Sequence, residues 1–438
     1  MRGIERLDSQ AADLNELIKG TNPYVFDMFS AKGEHIFFPT GGILSQTAQA
    51  SGKKLNATIG VALDDDGATM VLPCVSGQLV ESDGNQFAYA PNLGKPELRE
   101  AWKKQILKKN PSLAGIEISS PVVTVALTHG LASAGYLFAG VGDKIITPDL
   151  FWENYSLVFD YAHGAELETF PMFNAAGGFN TDGLRGKLFD GSIGKKIVIL
   201  NFPNNPTGYT VTLNEAAVIR DIIVEAAELG NNVVVFVDDA YFGLVYENCI
   251  LKESVFTYLA NAHERVLAVK IDGPTKEDYV WGIRVGFVTF GCKRNSASFY
   301  KAMELKLGGS IRGSTSSSSN IGQAILLKAY KADGYDGEKA GKFEMLQRRY
   351  KKIKEILESR EKEFSEYFRP LPFNSGYFMC LEVKNVKAEE IRKLLLEKYD
   401  TGVIALGNLL RVAFSSTPYE LLEKLFDNIY KAVREADK

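Results

Sequence analysis

Lys276 lies in the run IDGPTKEDYVWGIRVGF (Ile271 to Phe287), directly after the apolar segment RVLAVKI (Arg265 to Ile271). That segment reads as a buried strand, and Gly273 and Pro274 break it. Lys276 is therefore expected on a loop at a strand's C-terminal end, where open α/β sheets place their ligands. A lysine there is a cation and, when desolvated, a nucleophilic amine that condenses with carbonyls. Arg284 follows eight residues on, ahead of Gly286 and the apolar run VGFVTF. The competing Lys270 has no arginine at that spacing and stands inside the strand.

Other strand ends carry polar residues that packing alone does not require. VVVFVDDAY (Val233 to Tyr241) closes with Asp238, Asp239, Ala240 and Tyr241. A carboxylate at that point can meet a cationic ring nitrogen, and a tyrosine three residues on can donate to an oxygen. KIVILNF runs into NFPNNPTG (Asn201 to Gly208), where prolines fix the backbone and asparagine amides can face a cleft. VVTVAL (Val122 to Leu127) runs into THGLASAGYLFAG; Gly130 permits close backbone approach, and the N-terminus of the following helix offers free N–H groups to an anion. KIIT leads into TPDLFWENY, which puts Trp152 just past a strand, where a flat ring could stack. Each motif alone is ordinary turn chemistry. Together, an anion site, a stacking ring, a carboxylate, a phenol, an amide and a lysine amine match what pyridoxal phosphate requires.

Positioning these residues needs strand ends brought side by side. Short apolar, β-branched runs recur at Val122–Leu127, Lys144–Pro148, Lys196–Phe202, Val233–Tyr241 and Arg265–Ile271. Helical patterns separate several of them, notably LNEAAVIRDIIVEAAELG (Leu213 to Gly230) with its terminal glycine. Strands alternating with helices predict a mostly parallel sheet covered on both faces. Upstream, a polar helix and the glycine-rich FFPTGGILSQTAQASGKK precede LNATIGVALDDDG (Leu55 to Gly67), an apolar strand-like stretch. FAYAPNLGKPELREAW (Phe87 to Trp102) reads as a loop carrying Tyr89, with Pro96 opening a helix. After about residue 325 the texture shifts to long charged helices such as FEMLQRRYKKIKEILESREKEFSEYF, then to an α+β tail containing NSGYFMCLEV, GVIALG and LLRVAFSS. STSSSSN (Ser314 to Asn320) is a short low-complexity loop.

A chain of 438 residues is long for one core and natural for two domains. With 45% hydrophobic and 24% charged residues and a formal net charge of −4, it is an ordinary globular protein with no basic tract for nucleic acid or anionic membranes. Cys74, Cys249, Cys292 and Cys380 form no CxxC pair, and His35, His129, His163 and His263 are dispersed, so neither a disulfide framework nor a metal site is expected. The N-terminus has no apolar signal core, and no run of about 18 apolar residues offers a membrane span. A reducing cytoplasm is the expected location.

NNPTG, DDAY, a lysine with an arginine eight residues on, the RVG triplet and the late arginine of LLRVAF occur here in combination. In this combination the chain resembles fold type I pyridoxal-phosphate enzymes, close to the class I/II aspartate aminotransferase superfamily, from about Leu55 to the end. The resemblance implies an α/β fold: a three-layer α/β/α large domain with a mostly parallel seven-stranded sheet, residues 61–324, plus a smaller α+β domain from residues 1–60 and 325–438. It implies that Lys276 bonds the cofactor as a Schiff base and moves the substrate proton, and that Asp238 partners the ring nitrogen. Tyr241 and Asn205 match the donors to the ring's phenolic oxygen, and Trp152 the stacked aromatic residue; Asn205 and Trp152 also face the substrate. Arg284 matches the phosphate cradle, as do Gly130 and Leu131 through their backbone N–H groups. Tyr89 matches a tyrosine that reaches the neighbouring subunit's phosphate, which implies a homodimer with shared active sites. Arg411 matches the arginine that clamps the substrate α-carboxylate, and Gly60 a glycine lining the substrate pocket.

Two positions depart from the family pattern. Gly273 stands where a phosphate-binding serine is usual three residues before the lysine, which leaves Thr275 as the neighbouring hydroxyl; His129 stands where relatives carry a small or amide residue. Arg312 and Gly322 lie ten residues apart in SIRGSTSSSSNIG, which resembles the segment whose arginine reaches a distal substrate carboxylate across the dimer. The resemblance thus implies an aminotransferase moving an amino group from an L-amino acid, with an acidic donor such as aspartate, to a 2-oxo acid such as 2-oxoglutarate. Other outcomes of the same active-site set are C–S β-elimination, decarboxylation and a cyclopropane-forming synthase; a non-catalytic ligand-sensing domain is the reading from a different class.

Overall fold

A computed structural model describes residues 7–21, 26, 29, 34, 42–79 and 88–438. His35, residues 37–41 of the glycine-rich segment, and Phe87 lie outside the described residues.

The first strand, β1 (Leu55–Asn56), is short. The next seven are β2 (Val122–Thr124), β3 (Lys144–Pro148), β4 (Glu166–Phe170), β5 (Lys195–Asn201), β6 (Asn232–Asp238), β7 (Val266–Asp272) and β8 (Gly286–Cys292). They pair in the order β2-β8-β7-β6-β5-β3-β4. β8 runs antiparallel to both neighbours, and the remaining pairs are parallel. β5 and β6 are buried residue after residue, so both faces of the sheet are covered, as their unbroken β-branched runs require. Helices Ala126–Phe138 and Leu213–Glu228 pack on this sheet. The second opens with a capping box in which Thr212 and Glu215 satisfy each other's backbone N–H groups.

This is the expected α/β fold with a mainly parallel seven-stranded sheet. Two local readings differ. VVTVAL is not one strand: β2 ends at Thr124, and a helix starts at Ala126. β4 carries no apolar run, because it sits at the sheet edge, where of its five residues only Phe170 is buried.

The later strands β9 (Phe368–Pro370), β10 (Phe378–Val383), β12 (Ile404–Leu406) and β13 (Leu409–Ala413) form a second sheet, ordered β12-β13-β10-β9 and antiparallel throughout. Between β10 and β12 in sequence, β11 (Thr401–Gly402) pairs in parallel with β1. Helix Gly42–Gln49 joins the same region, where Gln46 exchanges two hydrogen bonds with the Ala405 backbone at 2.9 and 2.6 Å. LNATIGVALDDDG is therefore mostly loop, and only Leu55–Asn56 is strand. Among the described residues no helix is long and apolar enough to cross a membrane.

Candidate active site

The C-terminal ends of β5, β6 and β7 converge on a cavity of about 400 Å³, closed from the other side by residues 58–60, Phe378 and Arg411. Lys276 sits in the short turn Pro274–Glu277 that follows β7. Its Nζ lies 5.0 Å from the centre of the Tyr241 ring, and the residue keeps partial exposure to the cavity. Burial pushes its pKa down to about 8; the Asp238 carboxylate opposes the shift and Arg284 adds to it.

Asp238 closes β6 and is 2% exposed. Burial pushes its carboxyl upward, against four stabilising neighbours: the Tyr155 hydroxyl, the Lys276 ammonium, the Ala240 N–H and the Lys270 ammonium. Tyr155 donates to Oδ2 at 2.5 Å, and the Ala240 N–H donates to Oδ1 at 3.2 Å. The Asn201 amide fixes the Asp238 carbonyl at 2.8 Å. Asn205 is held in turn, its N–H donating to Asn201 Oδ1 at 2.9 Å.

Arg411, on β13, is buried. One Nη donates to Asn205 Oδ1 at 3.1 Å and the other to the Thr58 carbonyl at 3.0 Å. Its guanidinium lies 4.3 Å from the Phe378 ring centre, and its Nε has no hydrogen-bond partner among the described residues. Because Arg411 occupies the Asn205 oxygen, the Asn205 amide nitrogen is left as the donor. Gly60 lines the cavity; a Cβ there would stand 3.3 Å from Phe378. Trp152 also lines it, edge-on to Tyr155 at 5.8 Å.

The anion-binding corner differs from the sequence reading in one respect. The helix begins at Ala126, so its unpaired N–H groups belong to Ala126, Leu127 and Thr128, all of which line the cavity. Gly130 does not line it. Lying four residues into the helix, Gly130 has its N–H within the helical ladder, and a Cβ there would press on Ile271 at 3.0 Å and Val288 at 3.2 Å. Its smallness serves helix–sheet packing. Leu131 does line the cavity. Arg284 and the buried Thr275 complete this corner, and Thr275 Oγ1 has no hydrogen-bond partner among the described residues. Ala126 and Arg284 both hold left-handed backbones, φ +57° and +56°, a strain that binding sites commonly store.

Tyr89 and Arg312 are not in this cavity. They line a separate surface depression of about 280 Å³, where Tyr89 is 91% exposed and Arg312 donates to Ser316 Oγ at 2.8 Å. His129 points away from chemistry as well: Nδ1 accepts the Val125 N–H at 3.1 Å, and Nε2 pairs with Ser314 Oγ at 3.0 Å. Lys270 is fully buried and paired with Asp239 and Asp272, which hold its ammonium above the ordinary lysine value although burial opposes the charge. It is structural, and Lys276 is the amine free to face the cavity.

Tyr155, Thr58, Phe378 and Trp281 join the site without having been read from the sequence. Tyr155 lies three residues after Trp152 in FWENY, a helical spacing that could have flagged it.

The donors fit pyridoxal phosphate: an unpaired hydroxyl and free helical N–H groups for a phosphate, a buried carboxylate for a ring nitrogen, and a lysine of lowered pKa for a carbonyl. The fold and this donor set define an α/β enzyme scaffold of the pyridoxal-phosphate type. The family model for aminotransferase class I and II matches residues 52–429, and the chain belongs to that family, whose enzymes use pyridoxal phosphate. A probable N-acetyl-LL-diaminopimelate aminotransferase of Bacillus subtilis is 28% identical over 210 residues, 47% of this chain and 48% of that protein. The aligned stretch thus spans about half the length of that relative. An aspartate aminotransferase of Pyrococcus horikoshii is 27% identical over 367 residues, 79% of this chain and 83% of it. In fold, the chain is similar to the crystal structure of an aminotransferase from Anaerococcus prevotii, with a TM-score of 0.82 at 23% identity, covering 93% of this chain and 99% of that one.

Proposed function

We propose that this protein is a pyridoxal-phosphate-dependent aminotransferase that moves an amino group from an L-amino acid to a 2-oxo acid such as 2-oxoglutarate. The observation that carries the reading is one cavity shared by the Lys276 amine, the buried Asp238 carboxylate and Arg411. When bound, pyridoxal phosphate supplies a carbonyl that takes up amines and a ring that draws electrons from the substrate Cα. The first-turn N–H groups of residues 126–128, Thr275 Oγ1 and Arg284 hold the phosphate. Asp238 would hold the ring nitrogen, with Tyr155 fixing the carboxylate's Oδ2. Tyr241 and the Asn205 amide nitrogen would donate to the phenolic oxygen, and Trp152 would offer its ring to the cofactor. Arg411 grips the α-carboxylate in a two-pronged pair. Lys276 Nζ, a free base in part near neutral pH, accepts the α-proton and returns it.

Residues 61–324 form the cofactor-binding domain, and residues 1–60 and 325–438 the smaller one. The protein acts as a homodimer with shared sites. Support comes from Tyr89 and Arg312, which lie together on an exposed surface outside their own protomer's cavity. Arg312 of one protomer then meets the distal carboxylate of an acidic donor such as aspartate bound by its partner. The cytoplasm is the proposed location.

The test is spectroscopic. Purified protein with cofactor should absorb near the visible edge, lose that band on borohydride treatment, and change it when the right amino acid is added. Lys276→Ala should bind cofactor without the borohydride-sensitive band and lose turnover. A Lys276→Ala protein with full activity rules the reading out. Release of pyruvate and ammonia, in place of an oxo acid matched to the donor, would instead assign an elimination.

A further inference from the structure

The proposed chemistry needs Lys276 and Arg411 held at a fixed separation, yet they belong to different sheets. Lys276 follows β7 of the seven-stranded sheet, and Arg411 lies on β13 of the four-stranded one. Tyr377 crosses between them. It directly precedes β10, is fully buried, and donates its hydroxyl proton to the Lys276 carbonyl at 2.8 Å. Its ring stands edge-on to Tyr241 at 5.3 Å.

The Lys276 turn needs such a tie. Within the chain that follows, the Tyr279 N–H reaches the Lys276 carbonyl at a long 3.4 Å, and the Asp278 N–H is shared with the Pro274 carbonyl, which it meets at 2.9 Å. Tyr279 itself has φ +58°. Tyr377, by contrast, is firmly placed. The preceding Gly376 donates its N–H to the Leu244 carbonyl at 2.7 Å and accepts from the Tyr246 hydroxyl at 2.8 Å. Ser375 bonds the Gly208 carbonyl through its N–H at 2.9 Å and its hydroxyl at 3.0 Å. The following β10 pairs with β13 so that Cys380 lies opposite Arg411.

We infer that Tyr377 is a positioning residue: its hydroxyl ties the Lys276 turn to the strand pair that carries Arg411, and so sets where Lys276 Nζ stands against a substrate gripped by Arg411. The inference rests on the aminotransferase reading for its catalytic consequence and on geometry alone for the tie.

Tyr377→Phe removes one oxygen and keeps the ring. In the variant, amide hydrogen exchange over residues 274–280 should speed up about 5–10-fold while β5 and β6 keep their protection. In the cofactor-loaded enzyme kcat should fall about 5–20-fold with KM for the amino acid within about twofold. The kinetic isotope effect with a Cα-deuterated amino acid should rise, because proton transfer becomes slower relative to the other steps. Unchanged exchange over 274–280 overturns the tie. Loosened exchange with an unchanged isotope effect and kcat overturns its catalytic role. If wild-type protein converts no amino acid while the variant still loosens 274–280, the aminotransferase reading fails and the tie stands.

Discussion

Lys276 has to lose its charge to act, and its surroundings remove part of that charge in advance. Its folded pKa of about 8 lies below the ordinary lysine value of about 10.4, so between those values the unfolded chain binds more protons and stability rises with pH. Below pH 8 both states are protonated and the cost of the buried ammonium is carried in full. Cofactor-free Lys276→Met should therefore be more stable than wild type at pH 7 by roughly 2–3 kcal/mol, with the gap closing between pH 8 and 10. Urea denaturation across that range measures it, and a gap that does not vary with pH would count against the burial argument. Tyr155→Phe strips the hydroxyl from Asp238 Oδ2; we expect a stability loss of about 1–3 kcal/mol and a kcat reduced about tenfold, with the pH–rate profile shifted because Asp238 loses a neighbour that favours its charged form. Lys276 and Asp238 could be read from the sequence because each sits in a short motif at a strand end, whereas Arg411 lies mid-strand in β13 and was recognisable only through the family resemblance. Tyr155 could not be paired with Asp238 in that way, since the contact spans 83 residues and only the folded sheet brings them together.

At the scale of elements, the loop after β5 is where the two sheets lock. Gly208 has φ +73°, and a Cβ there would stand 1.9 Å from the Phe378 carbonyl oxygen. Gly208→Ala should cost more than about 3 kcal/mol and loosen β10 against the loop, which thermal unfolding of the variant would register. The NNPTG motif thus has a structural reason for its glycine beside any chemical role of its asparagine. Element types were legible from alternation of apolar runs and amphipathic stretches, and the sheet follows from β-branched runs buried on both faces. The boundary at residues 124–126 was not. VVTVAL is apolar throughout, and the helix that starts inside it has no capping side chain at Val125, so nothing local marks the switch. The cost was a four-residue error in locating the free N–H groups. His129, whose Nδ1 accepts the Val125 N–H, closes that helix start from within and explains an otherwise odd residue.

At the scale of the molecule, a shared site has a direct genetic test. Mixing Lys276→Ala with Arg312→Ala protomers gives heterodimers in which one cavity keeps both intact groups. Activity toward dicarboxylates should recover to about a quarter of the wild-type value, whereas each variant alone stays low. Absence of recovery in verified heterodimers argues that the sites do not share Arg312. Tyr89 and Arg312, both singled out by the family resemblance, line one exposed depression of the single chain, outside the cavity that holds Lys276. The start of the helix after β2 carries a different consequence, for how the sequence can drift. Ala126 keeps its left-handed backbone only because Gly286 on β8 leaves room: a Cβ at 286 would lie 2.6 Å from the Ala126 carbonyl carbon. The crowding is with backbone atoms of residue 126, which any residue there carries. Any side chain at 286 therefore has to displace the start of the helix, and no replacement at 126 removes the atoms it meets, so position 286 is closed to change in every sequence background.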